Sequence, residues 1–383
     1  MDFTQNEPER ELAGLARKIL TGRLTQERLR AVEAGDGFDR ALWADLAGAG
    51  ILAAALPEAL GGAGLGLLAH CGVLTELGRA VAPVPYLASV VLGAGALARF
   101  GTPGQQDRWA GPAGRGEVIL AAALAEEDGD DPRAPSVTAE PVKGDGEGGM
   151  GRRAGGGGWR LSGVKTTVLA ASQAGLLLVP AATPPGVTVF LVDRAGEGVT
   201  VEPQRVTGGT VGRVVLDGAP VPADRVLGTP AAGREITGWL LAHATVGLCA
   251  QQLGVLERAL EMTAEYARNR VQFGKPIGGF QAVAQRLADG YIDVEAVRLT
   301  MWQAAWQLAA GQPAETAIAT AKFWAADAGH RVAHTAVHVH GGVGIDLDYP
   351  LHRYFLAAKL GEFALGGATT QLRRIGAALA SAG

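Results

Sequence analysis

At 383 residues the chain is longer than one ordinary domain and should fold as two or three packed units. Apolar residues make up 48% of it and charged residues 19%, which excludes general disorder. A net charge of -4, with no basic block, argues against a nucleic-acid partner. Cys71 and Cys249 lack the C-x-x-C spacing of a metal or redox site and read as core thiols of a reducing compartment. The first residues, Met1 to Glu7, are acidic and polar rather than basic and then apolar, and no uninterrupted apolar run reaches ~18 residues. The expectation is a cytoplasmic protein without a membrane span.

Residues 1–118 carry helical signals. Leu12, Leu15, Ala16 and Ile19 recur at helical spacing, and Leu42, Trp43, Leu46 and Ile51 continue the pattern across Phe38–Ala55. Pro57 and the Gly61-Gly62-Ala63-Gly64 run stop it; helices resume over Leu67–Gly78 and, after Pro83-Val84-Pro85, over Ala88–Phe100. Residues 119–230 change to short β-rich runs at Val118–Ala123, Trp159–Leu161, Leu176–Val179, Val187–Val192 and Gly212–Val215, the pattern of an antiparallel sheet or small barrel. The glycine-rich stretch Lys143–Gly158 reads as a surface hairpin with no phosphate-binding role. Residues 231–383 return to the helical period, with Leu253, Leu256, Leu260 and Thr263 on one face and Leu287, Tyr291, Val294, Val297 and Met301 on another. A third helix, Ala317–Val337, breaks at Gly341-Gly342. The order helical, β, helical predicts an α+β chain: an N-terminal helical domain, a middle antiparallel β domain or barrel and a C-terminal helical bundle.

Four motifs narrow the reading: P-E-A-L-G-G-A-G-L at Pro57–Leu65, R-N-R-V-Q-F-G-K-P-I at Arg268–Ile277 with Phe280-Gln281 following, H-V-H-G-G-V-G at His338–Gly344, and D-Y-P-L-H-R-Y-F at Asp348–Phe355. In that order and over almost the whole chain, they closely resemble the flavin-dependent acyl-CoA dehydrogenase family. The resemblance implies that family's fold with a four-helix bundle, FAD as cofactor, an acyl-CoA substrate, electron-transfer flavoprotein or a similar acceptor, and subunits paired through the bundle. It also implies a flavin shared across a subunit interface, one chain holding the ring and its neighbour clamping the pyrophosphate and adenosine.

On the clamp side the match is good. Arg270 stands at the family arginine that pairs with the neighbour's pyrophosphate, a role suited to a permanently charged planar fork. Gln272, Phe273 and Gln281 match further cofactor contacts, and Gly341 and Gly342 a close backbone approach that a Cβ would obstruct. His338 falls where the family commonly has glutamine.

On the ring side the match fails. Where the family has T-E-P-x-x-G-S-D, this chain has Ala125-Glu126-Glu127-Asp128-Gly129-Asp130-Asp131; where it has K-x-W-I-T/S-N, this chain has Lys165-Thr166-Thr167-Val168-Leu169-Ala170. The ring-facing Trp and hydroxyl are replaced by Thr167 and Leu169. Thioester desaturation needs a base to remove the α proton as hydride leaves the β carbon for the flavin. The family's two positions for that glutamate are occupied by Leu365 and Ala244, and no catalytic residue is assigned.

The losses gather on one half of the site while the other half survives. The resemblance therefore extends to the base-lacking subunit of heteromeric bacterial acyl-CoA dehydrogenases, implying a homologous partner subunit that carries the catalytic glutamate. Alternatives are a self-sufficient enzyme with a relocated base, at Glu362 or among the carboxylates of Glu126–Asp131, a flavin monooxygenase on the same scaffold, or a scaffold that binds no FAD. His330, His334 and His338 follow one another at four-residue intervals, but without an H-E-x-x-H motif they are not assigned to a metal. His352 and Arg353 are expected to support bundle packing or a subunit contact, and Trp302, Trp306 and Trp324 to fill core or interface.

Overall fold

The first helix starts on a capping box: the Asn6 side chain accepts from the Glu9 amide at 2.9 Å, and the Glu9 carboxylate accepts from the Asn6 amide at 3.0 Å. From there the computed structural model describes residues 5–129, 131–142 and 157–381. The N-terminal helices are α1 (Glu7–Arg23), α2 (Gln26–Ala34), α3 (Arg40–Gly48), α4 (Gly66–Arg79), α5 (Gly95–Phe100), α6 (Pro103–Gln105) and α7 (Gly111–Gly114). Helix α5 continues a π-helical stretch over Leu87–Ala94. The expected helix over Phe38–Ala55 ends early at Gly48, because Gly50 takes a left-handed φ of 76°. The motif glycines at 57–65 make the next turn: Gly61 and Gly64 have φ of 80° and 67°, and a Cβ on Gly62 would lie 1.9 Å from the Leu56 carbonyl oxygen.

The strands are β1 (Leu120–Ala122), β2 (Thr138–Val142), β3 (Gly158–Leu169), β4 (Leu176–Thr183), β5 (Gly186–Asp193), β6 (Val199–Val206), β7 (Gly209–Pro222) and β8 (Val226–Leu227). They form one sheet in the order β6-β7-β3-β2-β4-β5-β8, with β1 added on β4. Most neighbouring strands pair antiparallel, while β1 and β2 each pair with β4 in parallel. Strands β2 and β6 lack a strong apolar pattern because they are largely exposed and interrupted by Pro141 and Pro203; β6 is an edge strand, while β2 lies between β3 and β4. Residues 143–156 of the glycine-rich stretch lie outside the described residues, and Gly158 opens β3. Leu161, Leu177, Val179, Phe190 and Val214 form the core of this region.

Helix α8 (Gly233–Asn269) starts the C-terminal part and is long and apolar enough to cross a bilayer, but 72% of its most apolar window is buried by its neighbours. The hairpin β9 (Val271–Gln272) and β10 (Lys275–Pro276) follows, then α9 (Gln281–Ala309), α10 (Glu315–His340), α11 (Leu351–Phe363) and α12 (Ala368–Ser381). Helices α4 and α8 cross so closely that a Cβ on Gly254 would lie 1.9 Å from the Thr75 carbonyl oxygen, and one on Gly78 2.0 Å from that of Gln251. Thr75 donates its hydroxyl across this contact to Ala250 at 3.2 Å. The N- and C-terminal helices thus share one apolar core, in which Cys71 and Cys249 are fully buried and free.

Arg353 is buried and holds Glu33 through Nε and Nη2 at 2.5 and 2.9 Å, joining α11 to α2 within one chain. Trp302 and Trp324 pack, partly buried, on the helical core. Tyr291 departs from the face assigned to it by periodicity. It is 61% exposed, whereas Val294, Val297 and Met301 on the same helix are buried.

Candidate functional site

The last turn of α8 delivers Arg270 to the surface: its amide bonds the Tyr266 carbonyl at 2.8 Å, and its own carbonyl accepts from the Ile277 amide at 2.8 Å, closing the β9–β10 hairpin. The turn of that hairpin is Phe273-Gly274, both left-handed, with φ of 52° and 79°, as a tight type I′ connection demands. Such a φ is unfavourable for phenylalanine by ~1 kcal/mol. The ring it carries is nevertheless 93% exposed, touching Phe280 edge-on at 6.2 Å. Lys275 lies over Phe280 at 4.5 Å. Gln281 opens α9 with no side-chain cap on the helix start, so the first amides of this long helix remain available to an acceptor.

The second part comes from the end of α10. Gly341 has φ 61° and ψ -140°, a conformation reserved for glycine, and no protein atom lies within 4 Å of where a Cβ on Gly341 or Gly342 would stand. The glycine turn faces open space within the chain. His338, one turn earlier, is exposed at the mouth of a groove of about 560 Å³ between α9 and α10, lined also by Arg286, Asp289, Asp293, His330 and His334. The two parts meet where the Tyr266 ring stacks on His340 at 4.3 Å. Neither Arg270 nor His338 makes a side-chain ion pair with any described residue.

The base positions hold no acid. Leu365 sits in the turn between α11 and α12 with φ 59°, partly buried against the helical core, while the buried Gln371 donates to the carbonyls of Leu365 and Gly366 at 3.1 and 3.0 Å. Ala244 is buried in mid-α8. Its neighbour His243 stacks on Trp239 at 3.7 Å, and burial pushes its imidazole down to about 4. Burial, with a lesser contribution from His243, pushes His70 on α4 down to about 3; its Nδ1 pairs with the Tyr86 hydroxyl at 2.9 Å. Both imidazoles are neutral and poor proton acceptors at neutral pH.

Of the carboxylates considered as relocated bases, Glu362, Glu126, Glu127 and Asp131 are paired with cations, while Asp128 is exposed. Glu362 lies between Lys359 Nζ at 2.5 Å and His330 Nδ1 at 3.2 Å. Glu126 forms a buried pair with Lys165 at 2.6 Å and also accepts from the Ser136 hydroxyl and the Val137 amide. Burial alone would raise the Glu126 carboxyl, but Lys165 and Ser136 outweigh it and hold the group below its ordinary range. Glu127 pairs with Arg213 and Asp131 with Arg133, while Asp130 lies outside the described residues.

The strand that carries Lys165–Ala170 has a backbone irregularity. Thr167 and Ala170 are left-handed, at φ 49° and 57°, and the β3–β7 register shifts between Lys165 and Val168. Leu169 packs on the helical core. The sequence reading missed the Lys165–Glu126 pair and the Tyr266–His340 stack. Tyr266, one turn before Arg270, was the available signal for the stack.

Comparison with known proteins identifies the class. The chain matches the acyl-CoA dehydrogenase N-terminal domain over residues 6–117 and the acyl-CoA dehydrogenase C-terminal domain over residues 231–380. It belongs to the acyl-CoA dehydrogenase family, oxidoreductases whose cofactor is FAD. Among particular relatives, it is 51% identical to acyl-CoA dehydrogenase FadE27 of Mycobacterium tuberculosis, over 99% of each chain. It superposes with TM-score 0.91 and 52% identity on a chain of the ChsE4-ChsE5 complex from Mycobacterium tuberculosis, over 99% of each. With a chain of a variant of the Tcur3481-Tcur3483 steroid ACAD the TM-score is 0.88 and the identity 44%, over 98% of each.

Proposed function

We propose that this chain is the non-catalytic subunit of a heteromeric, FAD-dependent acyl-CoA dehydrogenase that desaturates an acyl-CoA thioester at its α,β bond, and that it completes the flavin site of a homologous partner bearing the catalytic glutamate. The observation that carries the reading is the contrast in charge. Arg270 is exposed without an ionic partner among the described residues, whereas the acids considered as a base, Glu362 and Glu126, are each bound to a cation of the same chain.

The donor set fits the phosphate end of FAD. Arg270 offers a charged fork, Gln281 an amide at a helix start, His338 an imidazole, and Gly341-Gly342 a backbone turn facing open space. FAD, when bound, accepts the hydride; this chain's part is to hold the cofactor, with Leu365 and Ala244 standing at the family's two positions for the base. Exposed apolar side chains flank the clamp on both segments, Val271 and Phe273 on the hairpin and Val343, Ile345 and Leu347 after α10, which suits a partner subunit covering it.

Similarity to a chain of the ChsE4-ChsE5 complex supports the heteromer, and similarity to the Tcur3481-Tcur3483 steroid ACAD supports a steroid acyl-CoA as substrate. Electrons would pass on to electron-transfer flavoprotein or a similar acceptor. The two buried, free thiols suit a cytoplasmic setting. Domain limits at residues 118 and 230 follow the change from helix to strand between Gly114 and Leu120 and back between Leu227 and Gly233.

The test is to purify the chain alone and with a glutamate-bearing homologue and to measure acyl-CoA-dependent dye reduction. The expected result is turnover at least ~10²-fold higher for the complex, the scale of a missing general base. Equal turnover from the isolated chain would overturn the assignment.

A further inference from the structure

Three aromatic residues link the two parts of the clamp. Tyr266 belongs to the last turn of α8, and the Arg270 amide bonds its carbonyl at 2.8 Å. His340 is the final residue of α10, only 3% exposed, immediately before Gly341-Gly342. Tyr349 lies just before α11. The imidazole stacks on Tyr266 at 4.3 Å with 26° between planes and meets the Tyr349 ring at 5.2 Å.

The hydrogen bonds assign its tautomer. His340 Nδ1 faces the Ala336 carbonyl at 2.8 Å, and a carbonyl can only accept, so Nδ1 carries the proton. Nε2 is then an acceptor, and the Tyr349 hydroxyl donates to it at 3.2 Å. Burial lowers the affinity of the ring for a second proton, which preserves this order of donor and acceptor. Gly344 folds back onto the same residue: a Cβ there would stand 3.2 Å from the His340 Cβ and 3.1 Å from Val337 backbone atoms. One side chain thus touches the helix end that carries Arg270, the turn that contains Gly341 and Gly342, and the chain that returns to the bundle.

We propose that His340 is a positioning residue for the cofactor clamp, fixing the Gly341-Gly342 turn relative to Arg270 through the imidazole and its bond to Tyr349. This inference rests on the reading that the clamp grips the phosphate end of FAD. Its consequence is coupling: the Tyr349 hydroxyl should matter to FAD only through His340.

The experiment is a titration of FAD into the apo-complex with the glutamate-bearing subunit, followed by flavin fluorescence, with the melting temperature of each unliganded complex recorded alongside. Tyr349→Phe, which removes one partly buried hydroxyl and should fold, is expected to weaken FAD binding about fivefold, the scale of one net hydrogen bond. His340→Leu is expected to weaken it about tenfold, and adding Tyr349→Phe to His340→Leu should cost nothing more. His340→Gln, whose side-chain oxygen can accept from Tyr349, should recover affinity to within about threefold of the parent while melting at the same temperature as His340→Leu. Multiplying losses in the double variant, equal weakening by Leu and Gln, or unchanged affinity for Tyr349→Phe would overturn the inference. Arg270→Ala separates this from the underlying reading. If Arg270→Ala weakens FAD binding while the His340 and Tyr349 variants do not, only the positioning role fails; if Arg270→Ala also binds FAD normally, the clamp itself is wrong.

Discussion

The bundle end around Arg270 and the sheet margin around Glu126 are both rich in polar side chains, yet they use them in opposite ways. Around Glu126 most described charges are consumed internally, the exposed Asp128 excepted: Lys165 and Glu126 are buried against each other, and Asp131 is held below its ordinary range by the Arg133 guanidinium. At the bundle end an arginine, a histidine and a glycine turn stand at the surface without such engagement, beside apolar residues such as Phe273 and Ile345 that water does not favour. A charge satisfied within its own chain holds a fold together, while one left open is available to a ligand. The difference teaches where this chain keeps side chains open to a ligand, and it supports placing the proposed clamp at the bundle end.

The comparison can be broken most forcefully at the sheet. Glu126→Ala strands Lys165 as an uncompensated buried charge and should destabilise the fold by about 3–5 kcal/mol in urea unfolding. A loss under 1 kcal/mol would show that the carboxylate is not committed to the fold and would reopen it as a catalytic candidate. Acid sharpens the contrast within the helices. His70 and His243 are held near 3 and 4, so the unfolded chain binds more protons as pH drops below the ordinary imidazole value of about 6.5. Stability should be level above that pH and fall below it with a slope approaching two protons, about 2.7 kcal/mol per pH unit, with the His243 share exhausted near pH 4. Unfolding at pH 7.0 and 5.5 in the parent and in His243→Gln checks this, because the variant should lose about half the slope.

Smaller effects are expected at the clamp's rim and at the discarded base. His338→Ala should weaken FAD binding in the complex by about fivefold, one hydrogen bond's worth, with no change in melting temperature. Glu362→Ala should change turnover of the complex less than about twofold, since Lys359 and His330 already hold that carboxylate; a relocated base would instead cost ~10²-fold or more.

Much of this was legible in the sequence, for identifiable reasons. The large helices announce themselves through 3.6-residue periodicity, and β4 and β5 through largely apolar runs that need burial on both faces. Leu365 and Ala244 could be read as absences because a carboxylate has no apolar substitute in proton abstraction. What escaped depends on contacts between distant parts of the chain. Strands β2 and β6 have too little apolar pattern to show themselves alone, and the parallel pairing of β1 with β4 is set by topology. Tyr291 looked like a core residue by spacing, but the helix phase turns it outward. The His340 stack joins Tyr266, His340 and Tyr349 from separate stretches of the chain and has no local signature.

The central claim is that this chain supplies grip while its partner supplies the base. Its most direct test is the turnover and flavin content of the complex when Arg270→Ala is placed in this chain alone, the glutamate-bearing subunit being left intact. Loss of a charge-assisted pair worth about 2–3 kcal/mol predicts flavin affinity lower by roughly 30- to 100-fold, with activity restored by excess FAD. A variant complex that retains full flavin and full turnover at stoichiometric FAD would contradict it.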